Sequence, residues 1–445
     1  MIIVLAFVVA FVPALGWLVF IYFRDRYERE PVSLIARLFL WGLAAGPWAS
    51  GMNIVIAHLF SPLAAQAQKD GAPLVAATWL LVLVALSALN ERAPDLGALE
   101  VLARQLLRAE AVASSRIEGL EMSHRRLARA EFAPEVADRS ARTVVGNVRA
   151  MERAVELGAS TRRFGVGDVL KLHEALLRET DATIAGRIRT KQSWIGGRED
   201  TPLGAEFIPP PEDRVRPLLV DLCEFIQRED VPAIAQAAVA HSQFETIHPF
   251  ADGNGRVGRC LIHVVLRRRG LAPRYIPPVS LVLATDQRSY VRGLTTYREY
   301  TSDAVASWIG LFAQAVRRSA QEAEGFAERI AQLQAEWRRR ASVQRRGSAA
   351  DRLITLLPAK PVLDIPRASQ ILEVVYEAAR LAVEQLVRAR ILFPVTAKKH
   401  GRLYEARELF DLIDSFEREL ATPQGERRRA RIAPRARPAR RATAR

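Results

Sequence analysis

Apolar and polar positions are patterned in three distinct ways along the chain. From residue 2 to 23 the run IIVLAFVVAFVPALGWLVFIYF holds no charge; as a helix rising about 1.5 Å per residue it would reach roughly 33 Å, enough for a bilayer core. The run LFLWGLAAGPWASGMNIVIAHLF, residues 38–60, is interrupted by Pro47, Asn53 and His58, and a third uncharged run, APLVAATWLLVLVALSAL, covers residues 72–89. Together they predict a membrane anchor of two or three transmembrane helices over residues 1–90. Arg24, Arg26, Arg29 and Arg37 flank the first loop, whereas the segment between the second and third runs carries only Lys69. The first loop is therefore expected in the cytoplasm, and a third span returns Arg92 and everything after it to that side. The expected location is a bacterial inner membrane with a cytoplasmic catalytic part.

From Asp95 to about Arg340 apolar residues recur at spacings of three and four, as in LKLHEALLRE and RPLLVDLCEFIQRE, the signature of amphipathic helices. One interruption stands out: RTKQSWIGGREDTPLGAEFIPPPED, residues 189–213, reads as a hairpin around a Gly- and Pro-rich turn. VPAIAQAAVAHSQFETI, residues 231–247, reads as a buried helix running into His248, where Pro249 forces it to stop. Residues 301–347 read as a long helix and a basic linker. SAADRLITLLPA, IPRASQILEV, VYEAARLAVEQLVRARIL and FPVTAKKHGRLYEA then suggest three helices and a two-stranded wing over residues 348–420. The fold class is mainly α, organised as the anchor (1–90), an N-terminal helical region (95–150), a helical core (151–320), the C-terminal unit (348–420) and a tail (425–445).

Charge and cysteine content refine this picture. The formal charge of +15 points to an anionic partner, but GERRRARIAPRARPARRATAR alone holds nine arginines and one acid. That tail has no apolar face to bury and reads as a disordered, solvated basic segment. Cys223 and Cys260 are too few and too far apart for a disulfide framework or a metal cluster, and read as core residues.

Candidate chemistry concentrates in HPFADGNGRVGR, residues 248–259. Gly253 and Gly255 permit positive φ and close backbone approach, so the amides from Gly253 to Arg256 can converge on an anion. The helix expected from Arg256 onward places that nest at a helix N-terminus, where free N–H groups and the dipole favour phosphate. Arg256 and Arg259, three apart, share a helix face and can reach along a polyphosphate. Asp252 offers a hard oxygen suited to Mg²⁺ bridging phosphates. His248, fixed on the turn, titrates near neutrality and can take a proton from an attacking hydroxyl. The parts together describe a phosphoryl or nucleotidyl transfer site.

The string matches the HPFx[D/E]GNGRxxR signature of the Fic family without departure, and residues 98–320 resemble that family. The resemblance implies an all-helical Fic domain with a β-hairpin flap, transferring AMP from ATP to a hydroxyl of a target protein (Ser, Thr or Tyr). It implies His248 as general base and Asp252 as the Mg²⁺ ligand. Gly253, Asn254 and Gly255 would hold the α and β phosphates, Arg256 and Arg259 the more distal ones, and Phe250 would anchor the loop. Gln192, Trp194, Ile195 and Gly196 would form the flap that docks the target backbone. His241 and Glu245 are assigned to structure. Upstream, Ser114-x-x-x-Glu118-Gly119 resembles the inhibitory helix of Fic proteins: Glu118 would pair bidentately with Arg259 and leave ATP misplaced for attack. The same glutamate could instead serve removal of AMP. A third reading is a non-enzymatic, ATP-sensing regulator that binds DNA through a winged helix at its C-terminal end.

The C-terminal unit resembles the winged helix appended to Fic domains. Lys398, Lys399 and Arg402 on its wing would contact phosphates. Glu377 and Glu384 on the reading helix are poor for base readout, which favours protein binding or homodimer formation over nucleic acid. Residues 1–60 resemble the opening spans of PrsW-type membrane proteases without that family's Glu-Glu signature, so no protease activity is implied.

Overall fold

The computed structural model describes residues 96–198, 201–395 and 402–421. The three apolar runs, the tail, Lys398 and Lys399 lie outside them. The helices begin with α1 (Leu96–Ile117), α2 (His124–Phe132), α3 (Arg139–Ala159) and α4 (Val166–Leu177). Their starts are chemically marked: Ser123 and Asp138 accept hydrogen bonds from the Arg126 and Ala141 amides, and Asp168 accepts from the Gly165 amide, satisfying donors that a helix N-terminus leaves free.

Next come α5 (Glu212–Ile226), α6 (Ala233–Ile247) and α7 (Asn254–Arg268). These are the helices that the apolar spacing predicts. The central one is α7, packed chiefly against α3 and α6. Val257, Cys260, Leu261, Ile262, Val264, Val265 and Leu266 on it are fully buried, so any displacement of its N-terminus would disturb close packing on several sides. Both cysteines are buried, as expected, and burial pushes the Cys223 thiol up to about 12.

The short α8 (Val279–Leu283) and α9 (Gln287–Tyr297) lead to α10 (Ser302–Arg340), the expected long helix. The C-terminal unit follows as α11 (Ala349–Leu356), β1 (Val362–Leu363), α12 (Ile365–Leu372), α13 (Tyr376–Arg388), β2 (Phe393–Pro394), β3 (Tyr404–Glu405) and α14 (Arg407–Ala421). Its strands form an antiparallel sheet in the order β1-β3-β2, with Glu405 opposite both Val362 and Phe393. The expected two-stranded element therefore gains a third strand, β1, too short for its two residues to show any alternation in sequence.

Two expectations are corrected. Among the described residues no helix is long and apolar enough to cross a membrane, which overturns the expected inner-membrane placement; the spans expected over residues 1–90 lie outside the described residues. The physical reason is amphipathicity: α1, for example, carries Arg104, Arg108, Glu110 and Arg116 along its length. The segment 189–213 also falls short of a regular hairpin. It holds isolated antiparallel bridges, Ile195 with Phe207 and Arg198 with Thr201, because Gly196, Gly197 and Gly204 take positive φ and Pro209 to Pro211 supply no amide donors.

Candidate functional site

The site forms where α6 ends and α7 begins. His248 caps α6 in a left-handed conformation (φ 49°, ψ 60°), with its amide donating to the Phe244 carbonyl at 2.9 Å. A non-glycine residue there is strained, and neighbours hold it in place. Arg189 donates from Nε to the His248 carbonyl and from its backbone to the Pro249 carbonyl, both at 2.9 Å. The Asn254 side chain closes the loop, accepting from the Phe250 amide and donating to the Phe250 carbonyl, each at 2.8 Å. Phe250 is fully buried, the anchor its apolar character predicts.

Burial pushes the His248 imidazolium down to about 4, overcoming the pull of the Glu245 carbonyl in the opposite direction. The ring is therefore neutral at pH 7, the form able to accept a proton. His241 and Glu245 lie in the interior as assigned: His241 Nε2 is 2.8 Å from the Tyr290 hydroxyl, and burial raises the Glu245 carboxyl to about 7.

Gly253 starts α7 at φ 80°, and a Cβ there would meet Leu176 Cδ2 at 2.8 Å. Its amide donates to Asp252 Oδ1 at 2.6 Å, so the anion-facing amides are those of the first turn of α7, which have no intrahelical acceptor. The Asn254 side chain is committed to Phe250, which leaves its backbone amide for the nest expected there.

The Asp252 side chain is 65% exposed, 3.4 Å from Arg256 Nη2, and no cluster of three metal-ligating side chains exists among the described residues. A single open carboxylate beside a phosphate nest is the donor set Mg²⁺ takes when phosphates and water complete its shell. Arg256 is buried, with Nε and Nη1 lacking any partner; burial lowers its pKa against the opposing pull of Asp252 and Glu118. Buried guanidinium donors without acceptors are costly unless an anion meets them.

The third side of the site is α1, running antiparallel to α7. Glu118 packs against Gly255, where a Cβ would come within 2.1 Å of its Oε1. One turn along, Ser114 takes two bonds from Arg259: Nε to Oγ and Nη2 to the carbonyl, both 2.8 Å. Another turn along, buried Glu110 is 2.8 Å from His263 Nε2 and accepts from the Ser280 amide at 2.7 Å. Glu118 Oε1 accepts from Arg259 Nη2 at 2.6 Å. The expected contact thus exists but is single rather than bidentate, because Ser114 occupies Nε and the Tyr290 hydroxyl lies 3.5 Å from Nη1. Burial raises the Glu118 pKa, yet the charge and hydrogen bond of Arg259 and the charge of Arg256 outweigh it and hold the carboxyl below its usual range.

Gly119 explains the motif's last position. It is left-handed (φ 77°), with Gly119 N donating to Arg116 O at 2.9 Å and Leu120 N to Ser115 O at 3.0 Å. That is a Schellman cap ending α1 directly after Glu118.

His173 on α4 went unnoticed in the sequence. Its Nδ1 accepts from the Gly186 amide at 3.0 Å, which leaves Nε2–H to donate to the Asp252 carbonyl at 3.0 Å. Its ring stacks on Phe250 at 3.7 Å, and burial pushes its pKa down to about 4. Within LKLHEALLRE it looked like any helix-face histidine. Of the flap residues, Ile195 exchanges backbone bonds with Phe207 (2.9 and 3.2 Å), Gln192 Nε2 donates to Pro209 O at 2.8 Å, and Trp194 Nε1 donates to Arg198 O at 2.7 Å. Gly196 and Gln192 are exposed.

Residues 163–266 match the Fic/DOC family and residues 83–156 the Fic/DOC family N-terminal region. The chain is similar to protein adenylyltransferase fic-1 of Caenorhabditis briggsae, 32% identical over 124 residues (27% of this chain, 23% of that one). It is also similar to protein adenylyltransferase Fic of Drosophila erecta, 28% identical over 181 residues (38% and 35%). The chain thus spans between 23% and 35% of the length of these two curated relatives. Among solved structures, a Fic family protein from Desulfovibrio desulfuricans G20 is 22% identical with a TM-score of 0.46, covering 74% of this chain and 95% of that one. Residues 83–156 and 163–266 thus carry a Fic/DOC N-terminal region and a Fic/DOC domain.

Proposed function

We propose that this chain is a protein adenylyltransferase that moves AMP from ATP to a Ser, Thr or Tyr hydroxyl of a target protein and is held off by Glu118. The observation carrying this reading is the convergence of a neutral His248, a helix N-terminal nest and two buried arginines, with one carboxylate lodged among them. The relatives' names, protein adenylyltransferase, agree with it.

His248 takes the proton as the target oxygen bonds to the α-phosphorus, and the bond from that phosphorus to the bridging oxygen breaks, releasing pyrophosphate. The first-turn amides of α7 and the Arg256 guanidinium face the phosphates, while Arg259 reaches a distal phosphate once Glu118 leaves it. Asp252 would hold Mg²⁺, which when bound supplies neutralising charge at the phosphates. The exposed edge around Gln192, Trp194, Ile195 and Gly196 docks an extended target segment by backbone pairing.

In the same reading the 348–420 unit is a winged helix suited to protein contact or homodimer formation. On α13, Arg380 is paired with both Glu377 and Glu384, while Val375 and Tyr376 at its start and Leu381 are exposed. A reading helix with its central Arg380 neutralised and apolar side chains outward suits protein better than nucleic acid.

The test is incorporation of label from α-labelled ATP with Mg²⁺. Glu118→Gly is expected to raise it at least about tenfold, within the range of allosteric coupling. A Glu118→Gly protein that labels no better than wild type overturns the reading.

A further inference from the structure

The turn that presents Glu118 is held from outside the catalytic core. Glu417, on α14, has a side chain only 12% exposed; its Oε2 accepts from Arg116 Nη2 at 2.8 Å and its Oε1 lies 2.7 Å from His124 Nε2. Arg116 sits two residues before Glu118, and His124 opens α2 just after the turn. One carboxylate therefore closes the turn across both of its ends.

The rest of the C-terminal unit engages the same two helices. Gln105 donates to the Pro358 carbonyl, and Arg108 Nη1 donates to the Ala359 carbonyl at 2.8 Å. Arg129 on α2 pairs at 2.6 Å with Glu405, which is 1% exposed. Gln105, Arg108 and Arg116 are spaced by three and eight residues, so they lie on one face of α1. On either side of Glu417, α14 is tied to α10: Arg329 pairs with Glu419, Arg318 donates to the Leu420 carbonyl, and Phe416 stacks on Phe326 at 4.5 Å.

We infer that Glu417 is a latch on the autoinhibitory turn, through which the 349–421 unit sets how often Glu118 leaves Arg259. This rests on the function proposed above. If the turn moved while α14 stayed, Glu417 would keep a buried charge without its partners, a costly state. Burial raises the Glu417 pKa, but His124 and Arg116 bring it down to about 2, so the charge persists at neutral pH. Releasing the brake and displacing α14 are thus coupled, and the coupling is reciprocal. A ligand that shifts α14 favours transfer; occupancy of the active site by ATP in its productive pose loosens α14.

Two measurements on the full chain test this. In hydrogen exchange, Glu417→Ala is expected to speed exchange of a peptide spanning residues 116–124 about fivefold or more, and an unchanged rate overturns the latch. In AMP incorporation, Glu417→Ala is expected to exceed wild type about fivefold, yet to add nothing in the Glu118→Gly background. An equal gain in both backgrounds overturns the latch, because the effect would then bypass Glu118. Arg116→Gln, at a side chain 37% exposed, gives the same two readings should Glu417→Ala fail to fold. If Glu118→Gly itself transfers no AMP, the proposed function fails while the exchange measurement still decides the latch.

Discussion

Two turns face each other across the site, and they are built to different standards. The turn at 248–253 holds a non-glycine residue in a left-handed conformation and is fixed by Arg189, Asn254 and His173, all buried or nearly so. The turn at 118–120 uses glycine for its left-handed residue and is held by three backbone bonds, the Gln287 side chain on the Ile117 carbonyl, and Glu417. The first is over-determined and so can store strain. The second carries little strain and few buried bonds, as a part that moves should.

The comparison breaks most visibly at His248. In the Glu118→Gly background, His248→Ala is expected to lower the AMP transfer rate about 10²- to 10⁴-fold, read in single-turnover labelling. A loss under about fivefold would mean that the strained turn does not present a base. Next, Asn254→Ala strips two bonds from buried Phe250, and urea unfolding should show a loss of about 2–4 kcal/mol. A value near zero would show that the loop is held elsewhere.

Gly119→Ala probes the lightly held turn. A side chain at φ 77° costs about 1 kcal/mol, and transfer by the otherwise wild-type chain should rise about fivefold, since the brake is what weakens.

The smallest effect is a flat one. His248, held at about 4, loses its basic form only as pH falls through that value. Between pH 7.5 and 5.5 the kcat/KM of the Glu118→Gly protein should vary by about 3% from this group, whereas a pKa of 6.5 would give about a tenfold fall. Removing Glu118 takes away a charge that raises the His248 pKa, so the sign of the expectation is unchanged.

Much of this was legible in the sequence because the motif is contiguous. Twelve adjacent residues specify the nest, the arginines and the stop at Pro249, and the helices on either side follow from apolar spacing alone. What the sequence hid were partners distant along the chain. Nothing near Arg259 announces that Ser114 and Tyr290 leave Glu118 a single bond, nor that Asn254 is spent on Phe250. His173 needed Gly186 and Asp252 to become recognisable. Glu417 stands 299 residues from Glu118, in a helix whose own pattern says only that it is amphipathic.

The rungs between α1 and α7, Glu118 on Gly255, Ser114 on Arg259 and Glu110 on His263, recur at intervals of four residues on both helices. Sliding α1 by one turn, about 5.4 Å, would bring Glu110 opposite Arg259 and merely exchange one carboxylate for another. A ratchet along the helix axis therefore cannot free the arginine. Only fraying or swinging of the final turn can, which confines activation to the few residues between Ser115 and His124.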